Sequence, residues 1–176
     1  MIDFAGSPRL TVADLPDATT FSSFHPFIKG VFSQWHPAPF GIEGVRFVCA
    51  EQYMMAAKAA LFGDAEKERA IMQCDDPAMH KRLGAQVRGF DEAVWHRWRL
   101  DIVHAANHAK FSQNAGALRQ LRNTAPAMLV EANPRDWNWG NGLQIDDQGN
   151  LDPQLWRGTN FLGRILTLIR DELSEN

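Results

Sequence analysis

The sequence predicts an α+β fold that is mainly helical, a single domain with a small β-hairpin or sheet. Three observations lead there. Helix starts, each an Asp followed by helix-forming residues, recur through the middle of the chain. Strand-like runs are few and short. One long stretch, residues 133–158, is dense in Gly, Asn, Asp and Trp and suits neither regular structure.

Residues 1–30 carry Pro8, Pro16 and Pro26 among scattered turn formers and are expected to form an irregular N-terminal lead-in, with the domain proper over 31–176. Phe40-Gly41-Ile42 and Val45-Arg46-Phe47-Val48 flank Glu43-Gly44, which reads as a short hairpin. A helix is predicted from about Glu51 to Phe62, rich in Ala and Met, with Gly63 placed as its C′ residue. Asp64 reads as the N-cap of the next helix, with Glu66 and Glu68 near the positive end of its dipole. Asp76-Pro77 repeats the cap-then-Pro signal for a short helix ending near Gly84. Asp91 caps the longest helix, about Glu92 to Phe111, on which Trp95, Trp98, Ile102, Ala106 and Ala109 share one stripe. A short helix over about Ala115 to Arg122, a buried strand at Met128-Leu129-Val130 and a last amphipathic helix from near Asn160 to near Leu173 complete the chain.

Composition bounds the function. The chain has 176 residues, 45% hydrophobic and 22% charged, an ordinary globular balance. A net charge of −3 argues against broad electrostatic binding of nucleic acid, though not against a local phosphate pocket. Six Trp against one Tyr is unusual, and Trp is often used to stack on rings. Cys49 and Cys74 form neither a disulfide framework nor a metal spacing, so free thiols in a reducing compartment are expected. No leader pattern opens the chain and no window nears the roughly 18 apolar residues of a membrane span, so a cytoplasmic protein without a membrane partner is expected.

Two places hold candidate chemistry. Glu51 and Lys58 are seven apart, two helical turns, and project from one face with Met54 and Met55 between them. A carboxylate and an ammonium separated by apolar surface are candidates for shifted pKa values. The same spacing also fits a solvated face with a capping Glu and an unrelated Lys. The second place is Glu131 to Gly142. Its glycines let a ligand approach the backbone, its tryptophans offer stacking planes, and Asp136 offers a base or acceptor. A surface turn anchored by its tryptophans fits equally. His104 and His108 have two-His metal spacing but no third ligand nearby in sequence, so no metal is expected. Glycine-rich phosphate loops and nucleophile elbows are missing from the sequence.

Five segments in order resemble one family. They are Phe32-Ser33-Gln34-Trp35; Glu51-Gln52-Tyr53-Met54-Met55-Ala56-Ala57-Lys58; Ala109-Lys110-Phe111-Ser112-Gln113-Asn114; Leu129-Val130-Glu131-Ala132 with Asp136 and Trp139-Gly140-Asn141-Gly142; and Trp156-Arg157-Gly158-Thr159-Asn160-Phe161-Leu162-Gly163. Together they are similar to the NADAR, or YbiA-like, family, from about Phe32 to Arg170. The resemblance implies an N-glycosidase that cleaves the bond between a ribosyl group and a nitrogenous base. Its substrates would be ribosylamino-pyrimidine phosphates of the riboflavin pathway, or ADP-ribosylated guanine, including guanine in nucleic acid. It implies catalytic roles for Glu51, Lys58 and Asp136, and substrate contacts from Ser33, Gln34, Trp35, Trp139, Gly140 and Asn160, with no cofactor. The chain departs from the family pattern at His36, at Gly84-Ala85 and in the loop 133–138. The Arg that often follows the Gly of Gly84-Ala85 is missing, so the substrate is less anionic or Arg88 or Lys110 takes over a phosphate contact. The competing class is a non-catalytic module that binds ADP-ribose or a nucleotide.

Cleaving a C1′–N bond builds positive charge on the ribose and negative charge on the leaving base. Carboxylates near the sugar and a proton donor near the base lower that barrier. Glu51 and Asp136 are the expected carboxylates, one stabilising the cation or activating water and the other orienting ribose hydroxyls. Alternatively a deprotonated Lys58 attacks C1′, which requires burial to depress its pKa.

Overall fold

The computed structural model describes Phe4, Gly6 and residues 8–174. Its contacts divide into two compact units. One comprises residues 1–11 and 34–114, the other residues 12–33 and 115–176.

The first unit begins with the hairpin. Strands β2 (Phe40–Ile42) and β3 (Val45–Phe47) pair antiparallel with Phe40 opposite Phe47. Glu43 and Gly44 have φ of 49° and 78°, the left-handed pair that a type I′ turn requires. Helix α1 (Ala50–Leu61) follows and is buried along nearly its whole length, which its small Ala side chains permit. Gly63, at φ 70°, stands one residue past the C-cap Phe62, as predicted. The predicted Asp caps form: Asp64 accepts from the Lys67 N–H at the start of α2 (Ala65–Met72), Asp76 from the Ala78 N–H at α3 (Pro77–Gly84), and Asp91 from the Val94 N–H at α4 (Glu92–Gln113). Trp95, Trp98, Ile102, Ala106 and Ala109 are all buried, so the stripe is core. Helix α1 packs on α2, α3 and α4. Gly84 allows its close approach to α3, because a Cβ there would collide with the Met55 side chain.

The second unit contains β1 (Phe24–Phe27), β4 (Met128–Glu131), α5 (Ala115–Arg122) and α6 (Phe161–Glu172). Strand β1 runs parallel to β4, with Phe24 opposite Met128 and Phe27 opposite Glu131. The sequence reading contains no strand at this position: Pro26 interrupts the pattern, and only in a two-stranded sheet with a free edge does its missing N–H cost nothing. Met128, Leu129 and Val130 are completely buried, and α6 covers β4 with Leu162, Ile165, Leu166 and Ile169. Gly163 permits this contact, since a Cβ would strike the Leu129 carbonyl. Residues 133–158 contain only two short 3-10 turns, Gln148–Leu151 and Pro153–Leu155. Helices with two small sheets give the α+β class that the sequence predicts.

Candidate functional site

In the first unit the polar side chains gather at the N-terminus of α1. Cys49, the N-cap, supplies no side-chain capping bond to the helix, its thiol lying 3.8 Å from His80 Nδ1. The orphan N–H of Glu51 instead donates to the Gln34 carbonyl at 3.0 Å. That bond fixes the Gln34–Trp35 segment at the start of the helix. Gln34 is itself locked: Asn107 Nδ2 on α4 donates to its Oε1 at 2.7 Å, and its Nε2 donates to Met54 Sδ at 3.3 Å. Asn107 Nδ2 also donates to the Val103 carbonyl at 2.9 Å, and among the described residues its buried Oδ1 has no donor. Glu51 is 4% exposed despite its charge. Its neighbour Gln52 serves structure, accepting from the Val48 N–H and donating to the Ile71 and Cys74 carbonyls.

Lys110 lies one helical turn beyond Asn107 and is completely buried. Burial pulls its ammonium down to about 7, with an opposing pull from the Cys49 thiol. The thiol is pushed up chiefly by burial and further by the charge of Glu51, while Lys110 draws it back. His36 is pushed down by burial and then by the charge of Lys110. Glu51, Cys49, His36 and Lys110 thus act on one another through a poorly solvated interior, where charges interact strongly. Trp35, beside this group in sequence, is exposed.

Lys58 stands about 10 Å further along α1 than Glu51. Its Nζ donates to the Gly84 carbonyl at 2.9 Å and lies 4.4 Å from the Phe90 ring centre and 5.5 Å from that of Trp95. Burial pushes this amine down too. Arg88 is held elsewhere, its guanidinium bonding both carboxylate oxygens of Asp64, at 2.8 and 3.2 Å, and Glu66 at 2.9 Å. Arg88 therefore supports the cap of α2, and its side chain remains 67% exposed.

In the second unit the chain turns sharply after β4. Asp136 Oδ1 accepts from the N–H groups of Asn138 and Trp139, at 3.0 and 2.8 Å, and among the described residues Oδ2 has no donor. The turn is fastened to the start of α6. Phe161 and Leu162, whose N–H groups have no partner within the helix, donate to the carbonyls of Asn138 and Trp139. Gly140 is required, because a Cβ would sit 2.8 Å from both the Asp136 and Glu131 carbonyls. Asn160 is left-handed at φ 51°, donates its N–H to the Gly140 carbonyl, and bonds β4 on both sides through Glu131 N–H and the Leu129 carbonyl. Its carboxamide therefore holds backbone. Trp139 is half-buried with its ring 6.5 Å from that of Phe161, whereas Trp137 is exposed. Ser33 donates its N–H to the Gly30 carbonyl at 3.0 Å.

The structure thus brings Gln34 and Glu51 together, places Lys110 in electrostatic range of Cys49 and His36, and separately groups Asp136, Trp139, Gly140 and Asn160. Lys58 and Arg88 have other partners. The sequence reading missed Asn107. Its signal was an amide on the buried stripe of α4, three residues before Lys110. Among the described residues no group of three or more His, Cys, Asp or Glu is placed to hold a metal ion, and no helix is long and apolar enough to cross a membrane.

The NADAR domain profile matches residues 20–174. N-glycosidase R617 of Acanthamoeba polyphaga mimivirus is 42% identical over 147 residues, covering 81% of this chain and 86% of that protein. N-glycosidase YbiA of Shigella boydii serotype 4 is 30% identical, with 82% of each chain covered. Riboflavin biosynthesis protein VVA0006 of Vibrio vulnificus is 27% identical over 147 residues, which are 84% of this chain and 36% of that protein. The NMR structure of the E. coli protein YbiA superimposes with a TM-score of 0.72 at 26% identity, covering 88% of this chain and 86% of that one. With the motif order, the buried carboxylate at the head of α1 and the Asp-Trp-Gly turn all in place, the chain belongs to the NADAR domain family.

Proposed function

We propose that this protein is a hydrolase that cleaves the N-glycosidic bond between a ribosyl group and a nitrogenous base. The observation that carries the reading is Glu51, a buried carboxylate set at the positive end of α1 by the Gln34 carbonyl. A buried carboxylate at the positive end of a helix, beside a thiol and an amine whose pKa values are displaced by burial, is the pattern of a functional site. The relatives named as N-glycosidases support the same reading.

In this proposal Glu51 faces the cation that develops on the ribose, or activates the attacking water. Asp136, with one carboxylate oxygen locked by two backbone N–H groups, has the other available to accept from ligand hydroxyls. Lys110, whose pKa burial lowers to about 7, is suited to give a proton to the leaving base, beside the phosphate contact that the sequence suggests for it. Trp139 and Trp35 supply planes for the base. Lys58 retains a lowered pKa and could still act as a nucleophile, and borohydride trapping on Lys58 tests that route.

The substrate is a ribosylamino-pyrimidine phosphate or ADP-ribosylated guanine. The relative named as a riboflavin biosynthesis protein supports the first. Incubation with each compound, following release of free base, tests the proposal. Release from either is expected. Tight binding of both without release replaces the enzyme with a binding module.

A further inference from the structure

The second unit holds a cavity of 470 Å³. That size falls within the range of small-molecule sites, about 300–1,000 Å³. One wall is formed by residues between Val12 and Thr19, the other by Trp156, Thr159 and Arg164. The first wall lies before residue 20, where the NADAR match begins. None of the residues assigned above to N-glycoside cleavage lines it.

Its polar groups are fixed and only partly engaged. Arg164 Nε donates to the Pro16 carbonyl at 2.8 Å, and Nη2 donates to the carbonyls of Leu15 and Val12 at 3.2 and 3.3 Å. These bonds set the plane of the guanidinium, while Nη1 has no acceptor among the described residues. Asp17 Oδ1 accepts from the Thr19 N–H at 2.9 Å, and the Thr19 side chain also hydrogen-bonds the carboxyl, whose two oxygens keep further lone pairs for a ligand. The Thr19 hydrogen bonds hold the Asp17 carboxyl below its ordinary value, and the charge of Arg164 adds to this. Trp156 is equally fixed. Its Nε1 donates to the Gly149 and Asn150 carbonyls, and the Phe24 ring meets it edge-on at 5.6 Å between centres.

One carboxylate and one guanidinium face the cavity, so its charges cancel. An ion of either sign meets one attracting and one repelling charge there and gains little net. A neutral ligand with both hydroxyl donors and oxygen acceptors satisfies each. An indole held in place offers an apolar surface for the C–H face of a ring.

We propose that this cavity binds an uncharged sugar ring with adjacent hydroxyl groups, either free or as a nucleoside. Asp17 Oδ2 accepts from the hydroxyls, Arg164 Nη1 donates to sugar oxygens, and Trp156 packs against the ring. The site stands apart from the proposed hydrolysis and does not depend on it.

The test is an NMR titration of the full chain with ribose, adenosine and ribose 5-phosphate. The readout is the Trp156 indole N–H, assigned by its loss in Trp156→Phe. Adenosine, ribose or both are expected to shift it, and which of them does so separates a nucleoside from a free sugar. Ribose 5-phosphate is expected to bind less tightly than ribose. Asp17→Ala and Asp17→Asn are each expected to weaken binding about tenfold or more, the loss of a hydrogen bond to a charged group. Asp17 is exposed and only caps the three-residue turn Ala18–Thr20, so both variants leave base release by the protein unchanged. The proposal is overturned if neither sugar moves the signal, if the phosphate binds more tightly than ribose, or if the Asp17 variants bind as well as the parent. A sugar response without any base release would sink the hydrolase and leave this site standing.

Discussion

The Glu51 N–H donates to the Gln34 carbonyl at 3.0 Å, and Asn107 holds the other end of the same glutamine at 2.7 Å. A loop, the head of α1 and the middle of α4 are joined through one residue. The backbone that carries the carboxylate proposed to meet the ribose cation is therefore fixed before substrate arrives, a contribution to the preorganisation that electrostatic stabilisation of a transition state requires.

Glu51→Gln keeps the shape of the side chain and removes its charge. Turnover is expected to fall about 100- to 10,000-fold while the protein still folds. Rate of base release and circular dichroism melting check this together. Near-normal turnover would reject Glu51 as the central carboxylate.

Asn107→Leu leaves the Gln34 Oε1 atom buried without its donor. We expect a loss of about 1–3 kcal/mol of stability, read from urea unfolding. The accompanying loss of turnover should appear in kcat more than in KM if Gln34 positions Glu51.

Lys110 gives a pH dependence of definite sign. Its pKa falls from 10.5 in the unfolded chain to about 7 in the folded one. Between those values the unfolded chain binds more protons, so stability rises with pH. Below pH 7 the folded protein must hold a buried ammonium, and that penalty is fully present. Urea midpoints measured at pH 6.5 and pH 9.5 should therefore increase, and Lys110→Met should flatten the difference. An unchanged slope in Lys110→Met would contradict the assignment.

Asp64 behaves oppositely. Hydrogen bonds from the Arg88 side chain and backbone hold its carboxyl far below the usual carboxylate range. Its contribution is complete above pH 3.8, the ordinary value, and is lost as pH falls toward the folded value. Asp64→Ala removes both the α2 cap and the ion pair, and should lower the urea midpoint more than Arg88→Ala does. Base release should survive in Arg88→Ala, since its guanidinium serves Asp64 and Glu66.

Asn160→Ala tests a structural role for a residue in the family motif. The change removes two hydrogen bonds to β4 and puts Ala at φ 51°. A cost of about 2–4 kcal/mol is expected. A variant as stable as the parent would mean that the carboxamide is needed for something other than β4.

Signals spanning four residues or fewer were legible in the chain itself. The Asp64, Asp76 and Asp91 caps, the Glu43-Gly44 turn and the stop at Gly63 each depend on dihedral preferences or on a side chain reaching its own backbone, so they survive without knowledge of the fold. The motif order likewise disclosed the family. Tertiary structure alone decided which of those residues share an environment. Strand β1 exists because β4, more than a hundred residues later, pairs with it. Arg88 pairs with Asp64, Lys58 with the Gly84 carbonyl and two aromatic rings, and Lys110 lost its solvent. Burial and long-range hydrogen bonding are set by segments distant in sequence, and these, rather than residue type, turn an ordinary Lys or Glu into a group that can do chemistry.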